Sequence, residues 1–155
     1  MNLYRGCQHG CIYCDTRSDC YGVGDISKIA VKKNALELLT KELKSKRSNK
    51  GTIGTGSMND PYMPIEKELR QTQEALQIIA DHKFPVHIIT KSDLVTRDID
   101  ILKEIAKQYV AISFTITTFD DKLSSKIEPN APVSSLRFKA LNELSKQGIY
   151  TGITL

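Results

Sequence analysis

Val86-His87-Ile88-Ile89-Thr90, the stretch from Thr96 to Ala106, and Tyr109-Val110-Ala111-Ile112-Ser113-Phe114-Thr115-Ile116 read in succession as strand, helix and strand. The outer two segments are rich in the β-branched residues that suit a pleated, packed surface. Between them Ile99, Leu102, Ile105 and Ala106 recur at helical spacing behind Thr96, which predicts a helix capped by Thr96. The alternation continues outward in both directions. Upstream, Gly51-Thr52-Ile53-Gly54-Thr55 predicts a buried strand, Gly56 to Pro61 the loop leaving its C-terminal end, and Ile65 to His82 a helix. Earlier still, Ile29-Ala30-Val31 reads as a short strand. Asn34 reads as the N-cap of a helix over Ala35 to Lys44 that carries Leu36, Leu39 and Leu43 on one face. Downstream, a polar loop leads to a helix starting at Ser134 or Ser135, carrying Leu136, Ala140, Leu141 and Leu144 and ending at Gly148; Tyr150 to Leu155 is strand-like. Strands alternating with helices are βαβ units, so the fold class is α/β, a parallel sheet or barrel with right-handed crossovers. In such folds chemistry collects at the C-terminal ends of the strands.

The chain has 155 residues, 40% hydrophobic and 26% charged, which excludes disordered and fibrous classes and leaves one soluble domain. No apolar run reaches the roughly 18 residues of a membrane span, and Met1-Asn2-Leu3 opens no signal peptide, so a cytoplasmic location without membrane contact is expected. Lys plus Arg 22 against Asp plus Glu 18 gives +4 without a run of like charge, a weak electrostatic case for nucleic acid. The chain begins almost at its first cysteine and stops inside a strand pattern. That predicts a single catalytic domain over residues 1–155 truncated to its N-terminal part, with further barrel strands beyond.

All four cysteines, Cys7, Cys11, Cys14 and Cys20, lie at the N-terminal end. A disulfide framework suits small secreted chains, so metal is the better expectation here. Cys7-Gln8-His9-Gly10-Cys11-Ile12-Tyr13-Cys14 is C-x3-C-x2-C. A structural zinc site closes with four ligands. Three cysteines leave one corner open, as an iron–sulfur cluster with one exogenous ligand requires. The same spacing would also describe one face of a buried helix; Gly6, Gly10, Gln8 and His9 argue against that helix.

With Tyr13 before its last cysteine, this motif resembles the signature of the radical S-adenosylmethionine superfamily, whose fold is a partial (β/α)6 TIM-like barrel. The branch resembled is that of spore photoproduct lyase. The likeness runs through Asn2-x-Tyr4-Arg5-Gly6-Cys7, Asn59-Asp60-Pro61-Tyr62-x-Pro64-x-Glu66, Thr90-Lys91-Ser92 with Arg97-Asp98, and Glu128-Pro129-x-Ala131-Pro132 with Arg137. The resemblance implies that Cys7, Cys11 and Cys14 hold a [4Fe-4S] cluster and that S-adenosyl-L-methionine chelates its fourth iron. An external one-electron donor such as flavodoxin or ferredoxin would reduce the cluster. Reductive cleavage would then give methionine and a 5′-deoxyadenosyl radical that takes hydrogen from a substrate still unknown. DNA photoproduct repair is a candidate by resemblance alone. The rival readings are a non-catalytic iron–sulfur or zinc protein and a nucleic-acid module with a structural metal.

The remaining candidates stand at strand ends. By the resemblance Tyr13 lies beside the adenine; its plain alternative is a loop tyrosine packed on the core. Ser57 and Asn59 stand where the superfamily often has Gly-Gly-Glu, and would offer neutral acceptors to the cofactor amino group. Lys91 could pair with the cofactor carboxylate, or be a solvated lysine. Ser113, Thr115 and Thr117 alternate on one strand face, the lumen of a barrel, where hydroxyls suit ribose, although strand propensity alone also explains threonine. Asp98 and Asp100 are expected to serve the helix dipole, Glu128 and Arg137 to pair and pin a loop to a helix, and His9 to be a loop hydrogen-bonder. Cys20 is expected to lie outside the ligand set.

Overall fold

The computed structural model describes residues 1–155. Strands β1 (Tyr4–Arg5) and β2 (Ala30–Val31) pair antiparallel, Tyr4 opposite Val31, and so bracket the cysteine loop. Helix α1 (Ala35–Ser45) turns Leu39 and Leu43 into the core, and leads to β3 (Ile53–Thr55). Then come α2 (Glu66–Leu69), α3 (Gln71–Asp81), β4 (Val86–Thr90), α4 (Ile99–Ala106), β5 (Val110–Thr115), α5 (Asp121–Ile127), α6 (Ser134–Lys146) and β6 (Tyr150–Thr154). β3, β4, β5 and β6 form one parallel sheet in chain order, with Ile53 beside Val86, Val86 beside Val110 and Ala111 beside Tyr150. A sheet that never reverses its order has no switch point, so it winds as part of a barrel rather than as a doubly wound sheet.

Alternation along the strands fixes inside and outside. Val86, Ile88, Val110, Ile112 and Phe114 are buried beneath the helices with Leu76, Ile79, Leu102, Ile105, Ala140 and Leu144. Each such Val, Leu, Ile or Phe side chain contributes about 1.5–3 kcal/mol by leaving water. His87, Ile89, Ala111, Ser113 and Thr115 point to the opposite, concave face and are only half-buried. That face is the lumen of the partial barrel, and β6 is its outer edge strand.

Three expectations about local structure are corrected. The Ile65 to His82 helix is broken at Arg70, which takes a left-handed φ of 50°. The break lets the buried Glu66 carboxylate fold over the start of α3, accepting from Thr72 N at 3.0 Å and Gln73 N at 3.3 Å. Thr96 does not cap the following helix. Ser92 accepts from Leu94 N at 3.3 Å, opening a 3-10 turn over Asp93–Asp98 that continues as α4. The polar loop before Ser134 contains α5, capped by Asp120 through Lys122 N and Leu123 N at 2.8 and 3.3 Å.

Candidate active site

β3, β4 and β5 end on one rim, and the cysteine loop lies across it. Beneath the loop is a cavity of about 180 Å³. Cys7, Cys11, Cys14 and Tyr13 line it from above; Ser57 and Asn59 after β3, Lys91 after β4 and Thr115 on β5 line it from the barrel. A larger hollow, about 610 Å³, lies between α1 and the β3 edge and holds none of these residues.

The loop is held in place mainly by its own backbone. Cys7 N donates to Ile26 O at 2.8 Å and Ile12 N to Ile127 O at 2.9 Å. Gly6, at φ +85°, passes so close to the Ile26 and Lys28 carbonyls that a Cβ would stand 2.7 Å from each oxygen. Asn130 clasps the loop tip, donating through Nδ2 to Gln8 O at 2.9 Å and through its backbone N to His9 O at 3.1 Å. Ile65 N donates to Gln8 Oε1 at 2.7 Å.

Two buried carboxylates tie the loop to the barrel. His9, wholly buried, sets its Nε2 3.0 Å from Asp60 Oδ2. Asp60 also accepts from Thr90 Oγ1 at 2.7 Å, Lys91 N at 2.6 Å and Tyr62 N at 2.9 Å. Burial by itself would push the Asp60 carboxyl up; the His9 charge and hydrogen bond, with the Lys91 and Thr90 donors, outweigh it and hold the group below the ordinary carboxylate range. Glu128 is the second tie, receiving the Tyr13 hydroxyl while Lys91 Nζ stands 4.0 Å away. Burial and this hydrogen bond to Glu128 raise the Tyr13 phenol, keeping it neutral and a donor.

A further polar network braces α2, α3 and the turn before α4. Glu66 receives Tyr4 Oη and Arg97 NH2, the latter at 2.9 Å; Asp98 receives Tyr62 Oη at 3.0 Å, Gln73 Nε2 at 2.7 Å and Arg97 Nε at 2.8 Å. Asp98 therefore does not serve the dipole of α4 through a capping bond: its side chain is buried and makes none to the helix. Asn34 stands at the N-cap position of α1 but makes no side-chain capping bond, and Asp100 lies in the first turn of α4.

Most site residues named from the sequence thus share one cavity, and two do not. Ser113 Oγ is 2.8 Å from His87 Nε2 on the lumen wall, and the exposed Thr117 donates to Glu128 Oε1 at 3.4 Å outside the cavity lining. Cys20 is exposed and turned to Ser18 at 3.3 Å. Glu128 and Arg137 do pair, Oε2 to NH2 at 2.5 Å, and Glu128 also receives the hydroxyl of Tyr13, which lines the cavity. Asp60 and Glu66 received no role from the sequence, although a carboxylate between apolar neighbours such as Pro61, Tyr62 and Ile65 signals a buried, partnered group.

All four cysteines are free thiols, and burial pushes Cys7 and Cys11 up, so a metal must displace their protons. Three thiols face one cavity, yet no set of three His, Cys, Asp or Glu side chains closes on a single ion. A closed structural zinc site takes four protein ligands, whereas a cluster with one open iron takes three thiolates. The donor set fits a cluster.

The sequence model of the Radical SAM superfamily matches residues 1–155. This chain belongs to the radical SAM superfamily. An uncharacterized protein of Methanocaldococcus jannaschii is 38% identical over 152 residues, covering 96% of this chain and 56% of the relative. The radical SAM Nalpha-GlyT isomerase of Pseudomonas phage M6 is 29% identical over 148 residues, covering 95% of this chain and 30% of the relative. In fold the chain is similar to spore photoproduct lyase, at a TM-score of 0.73 and 17% identity over 97% of this chain and 43% of the lyase. A form of that lyase with bound AdoMet and dinucleoside spore photoproduct also matches, at a TM-score of 0.73 and 16% identity. The radical SAM chain therefore has the partial-barrel fold expected of it, and spans about half or less of the length of these relatives. No helix is long and apolar enough to cross a membrane.

Proposed function

We propose that the whole protein is a radical SAM enzyme in which Cys7, Cys11 and Cys14 hold a [4Fe-4S] cluster over the cavity at the strand ends. The observation that carries this is the convergence of three free thiols with Ser57, Asn59, Lys91 and Thr115 on one cavity, in a chain matched by the superfamily over its full length. When bound, the cluster supplies one electron, taken from an external donor such as flavodoxin or ferredoxin, for reductive cleavage of S-adenosyl-L-methionine to methionine and a 5′-deoxyadenosyl radical. The chain's part is binding and orientation. Lys91 offers a cation to the methionine carboxylate, and Ser57 and Asn59 offer neutral oxygens to its amino group. Thr115 offers a hydroxyl to the ribose, and Tyr13 presents its ring beside the adenine. Asp60, through His9, fixes the loop against the end of β4. Lesion DNA is the candidate substrate by resemblance to the spore photoproduct lyase branch alone, and the setting is a reducing cytoplasm.

The test is anaerobic reconstitution of the full-length protein with iron and sulfide, reduction, addition of S-adenosylmethionine, and mass spectrometry for 5′-deoxyadenosine. The product is expected with the native cysteines and is expected to vanish in Cys7→Ala, Cys11→Ala and Cys14→Ala, while Cys20→Ser retains it. One bound zinc without sulfide would overturn the reading in favour of a structural metal protein.

A further inference from the structure

Glu128 directly follows α5 and its side chain has no exposed surface. Four separate segments meet on it: the Tyr13 hydroxyl from the cysteine loop, Lys91 Nζ at 4.0 Å from the end of β4, Thr117 Oγ1 at 3.4 Å from beyond β5, and Arg137 NH2 at 2.5 Å from α6. Arg137 is itself wholly buried and spends its other N–H groups on backbone, Nε on Pro132 O at 2.7 Å and NH1 on Thr115 O at 2.8 Å. The 2.5 Å contact is an ion pair out of hydrogen-bond alignment, since Glu128 Oε2 and Arg137 NH2 have no hydrogen-bond partner. Its distance still cancels the two buried charges, which is what makes a buried carboxylate tolerable there.

Because Arg137 neutralises Glu128, the more distant Lys91 is steered by the carboxylate without being consumed by it, and its ammonium rests 5.6 Å from the Tyr13 ring centre. The other acids at the cavity are engaged: Asp60 with His9 and backbone donors, Asp15 with Tyr21 Oη at 3.1 Å. One cation is left facing the cavity.

We infer that Glu128 is a positioning residue that sets the gap between the cysteine loop and Lys91, and that with Arg137 it reserves the Lys91 charge for an anionic group of the ligand. The inference rests on the proposed function for the identity of that ligand, S-adenosylmethionine with its carboxylate, and on geometry for the rest. Tyr13 and Lys91 act through Glu128 as one unit.

The experiment uses the full-length protein and the variants Tyr13→Phe, Glu128→Gln and their double. Iron and sulfide loading is expected to match the wild type, because no thiol is altered. In the iron-free protein, alkylation of Cys11 and Cys14 by iodoacetamide is expected to accelerate in Y13F and in E128Q, and no further in the double variant. In the loaded protein, E128Q is expected to weaken S-adenosylmethionine binding about tenfold, as loss of an outer-sphere partner does, and to leave binding of the decarboxylated analogue unchanged. Wild-type thiol reactivity together with wild-type affinity in E128Q would overturn the inference, as would additive effects in the double variant. If E128Q does not fold, Y13F decides through thiol reactivity, since it leaves the Glu128–Arg137 pair intact: acceleration supports the inference and wild-type reactivity overturns it. A wild type that binds no S-adenosylmethionine, with thiol reactivity that still responds to Glu128, would defeat the functional reading and the reserved charge while leaving the loop-positioning role supported.

Discussion

Replacing Gly56 by Ala tests the packing of the site floor. Gly56 follows β3 at φ +97°, and a Cβ built there stands 2.0 Å from Ile89 O and 2.8 Å from Ile89 C. Two effects add. An alanine in this left-handed region costs about 1–2 kcal/mol. The overlap is with backbone, which cannot rotate aside, so the end of β3 must retreat from β4 by more than an ångström. β3 has only three residues in register with β4, Ile53, Gly54 and Thr55, and losing one or two of their ladder bonds costs about 1 kcal/mol each. The expected loss is therefore about 2–4 kcal/mol, a large part of the roughly 5–15 kcal/mol that holds a domain together. Gly54→Ala is the internal control: it lies two residues away, its φ is outside the left-handed region, and its added Cβ meets nothing within 4 Å. Urea unfolding of the metal-free full-length protein, followed by far-ultraviolet circular dichroism, should leave G54A within about 0.5 kcal/mol of wild type and shift G56A far below it. Equal stability of the two variants would refute the argument.

Glu66→Gln replaces an acceptor facing Tyr4, Arg97, Thr72 N and Gln73 N with a group that must turn one donor toward donors. A loss of about 3–5 kcal/mol is expected by the same unfolding measurement, as for other broken buried pairs; a loss below 1 kcal/mol would contradict the network. Alkaline pH supplies a third test. Burial, helped by neighbouring carboxylates, raises the phenols of Tyr4, Tyr13 and Tyr62 in the folded protein. A raised folded value means the folded state keeps protons that the unfolded state releases, so this contribution is intact below about pH 10 and declines as pH rises beyond it. Stability measured from pH 8 to 12 should fall above pH 10, less steeply in Tyr4→Phe; a flat profile would count against buried, neutral phenols.

The periodic segments were legible because their signals are local. Val86–Thr90 and Tyr109–Ile116 carry strand-forming residues whatever lies around them, and Leu39, Leu43, Leu102, Ile105, Ala140 and Leu144 fall on the faces that the core covers. The break at Arg70 was not legible, since nothing in Ile65 to His82 departs from helical pattern; the left-handed turn exists because Glu66 gains backbone donors and Arg97 there, partners supplied by the fold. α5 escaped notice for a related reason: over Asp121–Ile127 only Ser124 is buried, so there is little periodic signal to read.

The site divides the same way. Cys7, Cys11 and Cys14 declare themselves by spacing, because their ligand chemistry needs three thiols on one short loop. Ser57, Asn59, Lys91 and Thr115 could be named as strand-end candidates, and the cavity gathers them. Ser113 and Thr117 looked equivalent to Thr115 by alternation; register with His87 and the placement of Glu128 separate them. What the sequence alone determined is the family, the strand–helix alternation and the thiol triad, all carried by near neighbours in the chain. Tertiary structure alone decided which carboxylates are buried, what they hold, and which glycine of Gly54-Thr55-Gly56 cannot be replaced. Those properties depend on atoms such as Arg137 NH2 and Ile89 O, distant in sequence, that meet only when the strands, helices and loops pack together.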